Sequence, residues 1–185
     1  MDQETNVKRY LLVFPELCTG CNRCVYACSA EKVGMFKPSL ARIHVNNLPL
    51  NGFSAPSVCF QCPNPDCMKA CQEEAIYRDA SNVVLVNPDR CTGCGDCVDA
   101  CPYGMIELDE NNMAYKCDYC GGDPACVREC EPQALLFAEP DKEQRKQRAV
   151  HMKQRSDSGN PEQKRARMGH ALFSLRPKGP APLEK

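Results

Sequence analysis

The stretch Cys91-Thr92-Gly93-Cys94-Gly95-Asp96-Cys97-Val98-Asp99-Ala100-Cys101-Pro102 places four cysteines at C-x2-C-x2-C-x3-C spacing and closes them with a proline. The same spacing recurs at Cys18, Cys21, Cys24 and Cys28. Two further groups widen the middle gap. Cys59, Cys62, Cys67 and Cys71 read C-x2-C-x4-C-x3-C, and Cys117, Cys120, Cys126 and Cys130 read C-x2-C-x5-C-x3-C. These four groups of four use all 16 cysteines of the 185-residue chain.

Sixteen cysteines are about 9% of the residues, against 6% aromatic residues and no Trp. The conventional apolar content left after removing them is thin for a core, so cysteine density of this kind implies a disulfide scaffold or metal. Residues 1–10 carry charges with no apolar run of signal length after them, unlike a secretory signal. The apolar runs at residues 11–14 and 83–86 are far too short to cross a bilayer. The expectation is a cytoplasmic chain with reduced, metal-bound thiols.

The spacing carries its own chemistry. A 4Fe–4S cube offers four iron corners, each needing one thiolate, and three cysteines at x2 intervals on a tight loop can cap three of them. Such a loop also points backbone N–H groups at the sulfides, and Gly20, Gly93 and Gly95 let the backbone bend and approach closely. The fourth cysteine then lies on the following helix and, in two-cluster patterns, reaches the other cube. Mononuclear zinc sites also use C-x2-C pairs, but usually two pairs across a longer spacer. A disulfide framework conflicts with the absence of an export signal.

The groups can pair sequentially or in a nested way. The link between groups two and three bears on this. Glu74-Ala75-Ile76, a polar turn, Val83-Val84-Leu85-Val86-Asn87-Pro88-Asp89-Arg90-Cys91 and then Tyr103-Gly104-Met105-Ile106-Glu107 resembles the inner link and closing strand of a bacterial two-cluster ferredoxin. Groups one and four would then pair around that module. Pro132-Gln133-Ala134-Leu135-Leu136 after group four reads as a strand start, with residues 10–14 as its partner edge. Residues 7–138 resemble the four-cluster ferredoxin subunits of multisubunit oxidoreductases. The resemblance implies an α+β fold of two ferredoxin-like modules, one nested in the other, with an extended C-terminal arm. The outer module takes residues 1–52 and 113–138, the inner module residues 53–112, and a basic arm, partly helical or extended, residues 139–185.

The resemblance also implies four 4Fe–4S clusters with crossed ligation. The outer sets are Cys18, Cys21, Cys24 with Cys130, and Cys28 with Cys117, Cys120, Cys126. The inner sets are Cys59, Cys62, Cys67 with Cys101, and Cys71 with Cys91, Cys94, Cys97. Ala27-Cys28-Ser29, Gly34, Phe36, Pro38 and Ala41-Arg42-Ile43 resemble a pattern in the small ferredoxin subunits of tungsten-containing aldehyde oxidoreductases and class II benzoyl-CoA reductases. Glu131 departs from the family, where Pro commonly follows the last cysteine. It should alter the turn and add negative charge beside a cluster.

No G-x-x-x-x-G-K-[ST] or G-x-G-x-x-G motif is present, and His44, His151 and His170 lie far apart. His44, in the alternating run 42–45, reads as an exposed strand residue. The chain is therefore expected to be non-catalytic. It would relay single electrons between a catalytic subunit, of tungsten-pterin aldehyde oxidoreductase type, and an acceptor or a flavin- or NAD-binding subunit. The alternatives are a wire for a molybdopterin enzyme or hydrogenase of the formate or dimethyl sulfoxide reductase groups, or a zinc-based interaction module.

Charge divides the chain. Residues 139–185 hold 12 Lys and Arg against 6 Asp and Glu, which leaves −7 for residues 1–138 within the whole-chain −1. Residues 141–155 favour a helix, and Ser156-Asp157-Ser158-Gly159-Asn160-Pro161 breaks it. The rest reads either as a solvated tail or as an arm anchored on a partner by residues 171–175. Acids dilute the cations and no aromatic platform interleaves them, so nucleic acid is not an expected partner. Direct membrane insertion is not expected either.

Overall fold

The computed structural model describes residues 9–176. Eight short strands form four separate antiparallel pairs, with helices between them. Strand β1 (Tyr10–Val13) leads to helix α1 (Arg23–Val33), then to the hairpin β2 (His44–Leu48) and β3 (Phe53–Ser57). Helix α2 (Asp66–Lys69) precedes the hairpin β4 (Ile76–Arg78) and β5 (Val84–Val86). Helix α3 (Asp96–Ala100) precedes β6 (Ile106–Leu108) and β7 (Ala114–Lys116), and α4 (Ala125–Arg128) precedes β8 (Leu135–Ala138). Helices α5 (Lys142–Met152) and α6 (Pro161–Leu175) complete the described chain.

The β4–β5 and β6–β7 hairpins share one turn chemistry. Asp79 accepts the Val83 N–H at 2.7 Å, and Asp109 accepts the Met113 N–H at 2.9 Å. Asn82 and Asn112 take positive φ of 62° and 59° one residue earlier, a conformation Asn tolerates better than most residues. The two hairpins therefore follow groups two and three in the same way. Strand β1 pairs with β8, running Tyr10 opposite Ala138 to Val13 opposite Leu135, so residues far apart in sequence close one ladder. The module bounds expected at residues 52/53 and 112/113 fall in the turns of the β2–β3 and β6–β7 hairpins.

Two apolar clusters form. One gathers Phe53, Phe60, Ile76, Val84, Tyr103 and Ile106, and the other Leu11, Val25, Ile43, Val58, Tyr119 and Leu135. Cysteines are members of both, and Cys117 packs against both. The thin apolar composition is thus supplemented by thiols at the centre of each cluster.

The C-terminal segment differs from an extended or solvated arm. Capping boxes start both helices: Asp141 with Gln144 at 2.8 and 3.0 Å, and Asn160 with Gln163 at 2.9 and 3.1 Å. Helix α6 lies on β2 and β3 of this same chain and buries Met168 and Leu172 in the first apolar cluster. Leu172, read as part of a partner anchor, is thus a core residue here, because helical phasing sets it on the same face as Met168. Lys164 and Arg165 reach back to the Asp99 carbonyl at 2.7 Å and the Gly104 carbonyl at 2.6 Å. Gly104 is required at that contact, since its φ is +63° and a Cβ would collide with the Pro161 backbone. Residues 1–8 and 177–185 of the outer module and arm lie outside the described residues.

Candidate functional site

Each cysteine group begins on a tight loop that leads into a helix. Gly20 and Gly93 occupy the same place in groups one and three, with φ of +72° and +74°. A Cβ on Gly93 would meet Asn112 of the β6–β7 turn, and one on Gly20 would lie 2.8 Å from the Asn47 side chain of β2. Glycine lets each loop sit flush against its hairpin. The helices then turn the later cysteines inward. Cys24 and Cys28 both lie on α1, whereas Cys71, Cys101 and Cys130 follow α2, α3 and α4 directly.

Cysteines from separate groups line common pockets. Cys59, Cys62, Cys67 and Cys101 face one pocket with about 380 Å³ of atom-free space, mouth included. Cys71, Cys91, Cys94 and Cys97 line a second of about 340 Å³. The thiols feel one another in the same grouping. Burial and the neighbouring Cys59 and Cys101 push the Cys62 thiol up to about 12. Burial with Cys71, Cys91 and Cys94 pushes Cys97 to about 11. Burial with Cys130, Cys18 and Cys21 pushes Cys24 to about 12. Cys126 is raised by burial and by Cys117, Cys28, Cys24 and Cys120. Cys117 is pushed to about 12, by burial first and then by Cys59 across the junction between the two apolar clusters.

Several features fit a multi-atom, anionic group at these pockets. Backbone N–H groups point at thiols: Arg42 N–H to Cys28 Sγ at 3.2 Å, Met105 N–H to Cys101 Sγ at 3.4 Å, and Ala114 N–H to Cys91 Sγ at 3.5 Å. The hydroxyl of Tyr119, a residue 4% exposed, finds no acceptor among the described residues and stands near Cys59, Cys117 and the Leu11 N–H. Among the described residues no three His, Cys, Asp or Glu side chains draw together as single-ion ligands do; the two pocket quartets stand around a void instead.

Other site residues stand differently from their sequence reading. His44 is half-buried on β2, and its Nε2 lies 3.4 Å from Glu107 Oε2. Burial alone would raise the Glu107 carboxyl, but His44 and Arg165 hold it below the usual carboxylate range. The Glu131 carboxylate pairs with Arg23, which also binds Glu129 at 3.1 Å, so one guanidinium serves two carboxylates and a net negative charge remains there. Two buried polar residues at the junction, Gln61 and Lys116, carry no motif in the sequence that announces them. Their only signal is position: each directly precedes a cysteine of a group, at Cys62 and Cys117.

Comparison with known proteins gives these cysteines their chemistry. A family model described as a 4Fe-4S dicluster domain matches residues 50–140, and a 4Fe-4S binding domain matches residues 15–31. The polyferredoxin-like subunit of an aliphatic sulfonate oxidoreductase from Pyrococcus furiosus is 36% identical over 132 residues, covering 70% of this chain and 76% of that protein. The chain belongs to the polyferredoxin-like 4Fe–4S subunits of oxidoreductases. Another relative, the B subunit of polysulfide reductase from Wolinella succinogenes, is 34% identical over 149 residues, covering 71% of this polyferredoxin and 77% of that protein. A chain of the active-site complex BamBC of benzoyl coenzyme A reductase is 20% identical at a TM-score of 0.41, with 78% of the polyferredoxin and 87% of that chain covered. The 16 cysteines provide for four 4Fe–4S clusters, and the polyferredoxin is an iron–sulfur electron-transfer subunit of an oxidoreductase complex. No described helix is long and apolar enough to cross a membrane.

Proposed function

We propose that the chain carries electrons singly along a line of four centres, held by two ferredoxin-like modules of which the inner is nested in the outer. The grouping of thiols around shared pockets and electrostatic neighbours carries this reading. It supports Cys18, Cys21, Cys24 and Cys130 for one centre, and Cys28, Cys117, Cys120 and Cys126 for the next. It supports Cys59, Cys62, Cys67 and Cys101 for the third, and Cys71, Cys91, Cys94 and Cys97 for the fourth. Bound 4Fe–4S clusters supply one-electron chemistry at set potentials. The chain's residues do the rest. Cys24 and Cys28 stand one helical turn apart, about 6 Å along the axis, which joins the first two sites. Cys59 and Cys117 meet across the middle, and α2 and α3 join the last two. Cys21 and Cys94 are exposed at the two ends, whereas Cys59, Cys67, Cys101 and Cys126 are buried.

The chain itself supplies no catalysis. Its partner is a catalytic subunit, with tungsten-pterin favoured by the pattern at Cys28, Gly34, Phe36, Pro38 and Arg42. A molybdopterin partner is the second reading. Purification of the native complex tests this. Tungsten in the copurifying catalytic subunit supports the first reading and molybdenum the second; purification of the chain with no catalytic partner overturns both.

A further inference from the structure

Lys116 ends β7 immediately before Cys117 and is only 4% exposed. Its Nζ donates to the Val84 carbonyl and, at 3.1 Å, to the Cys117 carbonyl. Gln61, 2% exposed, spans the same gap. Its Nε2 donates to the Cys117 carbonyl at 2.7 Å, and its Oε1 accepts the Val84 N–H at 2.8 Å. These bonds tie β5 of one apolar cluster to the first cysteine of group four.

The bonds leave a charge unexplained. Both partners of Lys116 are neutral carbonyls, and none of the ion pairs among the described residues involves it. Burying an ammonium without a counter-charge is strongly unfavourable. Lys116 lines the pocket of Cys59, Cys62, Cys67 and Cys101, and its charge acts on the Cys67 thiol and on that of the adjoining Cys117. The four iron-bound thiolates of the pocket it lines, with Cys117 beside them, are the counter-charge within reach.

We infer that Lys116 is a positioning residue for electron relay, its buried ammonium stabilising the reduced form of the centre at Cys59, Cys62, Cys67 and Cys101. The inference rests on the ligand sets proposed above. When an electron moves inward, the centre at Cys28, Cys117, Cys120 and Cys126 is oxidised by one electron, and the centre beside Lys116 is reduced by one. No bond or proton changes hands. The added negative charge appears next to a fixed positive one in a low-dielectric interior, which raises that centre's potential. A more positive potential at that centre draws the electron toward the middle of the line.

Anaerobic redox titration of the full loaded chain, followed by electron paramagnetic resonance, tests this with K116M, K116Q and K116R. A Cys67→Ser variant identifies the signal of the centre concerned. In K116M and K116Q that signal should titrate at a more negative potential with all four clusters retained, and K116R should restore it. K116Q keeps an N–H donor for the Val84 carbonyl, so a purely structural role predicts no shift. An unchanged midpoint in the neutral variants overturns the inference. So does a shift that K116R fails to reverse, or loss of clusters from both neutral variants, because Lys116 would then serve folding alone. A wild-type chain holding fewer than four clusters overturns the ligand sets instead.

Discussion

Cys126 and Cys130 are four residues apart, yet their thiols face largely different neighbours. Cys126 is raised by burial and then by Cys117, Cys28, Cys24 and Cys120, whereas Cys130 acts on Cys18 and Cys24, so Cys24 alone is common to both. The short helix α4 is what separates them: Cys126 lies within it, and Cys130 follows its end. Cys130→Ala should therefore cost about a quarter of the iron and produce the same spectroscopic loss as Cys24→Ala, since one corner of one cube is left without a thiolate. Iron analysis and electron paramagnetic resonance of both variants beside Cys126→Ala check this; a C130A spectrum matching C126A sinks the crossed ligation. The four groups of cysteines and the cluster type they serve are legible from spacing, because a metal cube dictates ligand intervals more strictly than any apolar core dictates its residues. Lys116 and Gln61 are not legible. Lysine is almost never fully buried, and no local pattern marks the exception. His44 escapes for a related reason: alternation in its strand tells which residues share a face but not what covers that face, and its partner Glu107 comes from β6, two cysteine groups further along the chain.

Helix α6 shows the limit at the level of elements. Its start is marked in sequence by Asn160-Pro161 with Gln163, which serves equally as a breaker of the preceding helix and a cap of the next. Its interior is rich in Lys, Arg and Gln and contains Gly169, which weakens the helical signal. Gly169 has a packing reason, since a Cβ there would lie 2.7 Å from the Asn46 Cβ of β2. The cations have one too: Arg165 joins Glu107 at 2.9 Å while its stem is buried. Leu172, 5% exposed, lies within the apolar cluster beneath. Leu172→Ala should destabilise the loaded chain by about 2–5 kcal/mol, the usual cost of emptying a buried leucine site. Thermal unfolding measures it. An unchanged melt accompanied by loss of subunit copurification would return residues 171–175 to the role of a partner anchor.

At the level of the whole molecule, cohesion depends on what the thiols hold. Four separate two-stranded sheets offer no extended ladder, and isolated pairs of short strands are marginal in water. Both apolar clusters count cysteines among their buried members, so removing the metal leaves voids lined by thiols at their centres. Loading also has a proton balance. Burial and neighbouring thiols hold Cys24, Cys62 and Cys117 near 12, so these thiols are protonated at neutral pH in the empty chain, and binding iron displaces their protons. The sign for the empty fold follows. Thiols whose folded pKa lies above the ordinary 9.0 favour folding fully below that value, and the contribution is lost as pH rises toward 12. With voids in both clusters the iron-free chain should lose its native secondary structure at neutral pH, and the loss of the thiol contribution should make this worse at alkaline pH. Chelation under reducing, anaerobic conditions, followed by far-ultraviolet circular dichroism across pH 7 to about 10, measures both effects. An iron-free chain that kept native helix content and melted cooperatively would show that packing alone carries the fold. The clusters would then be passengers in a preformed frame, in place of the groups that bind the two apolar cores together.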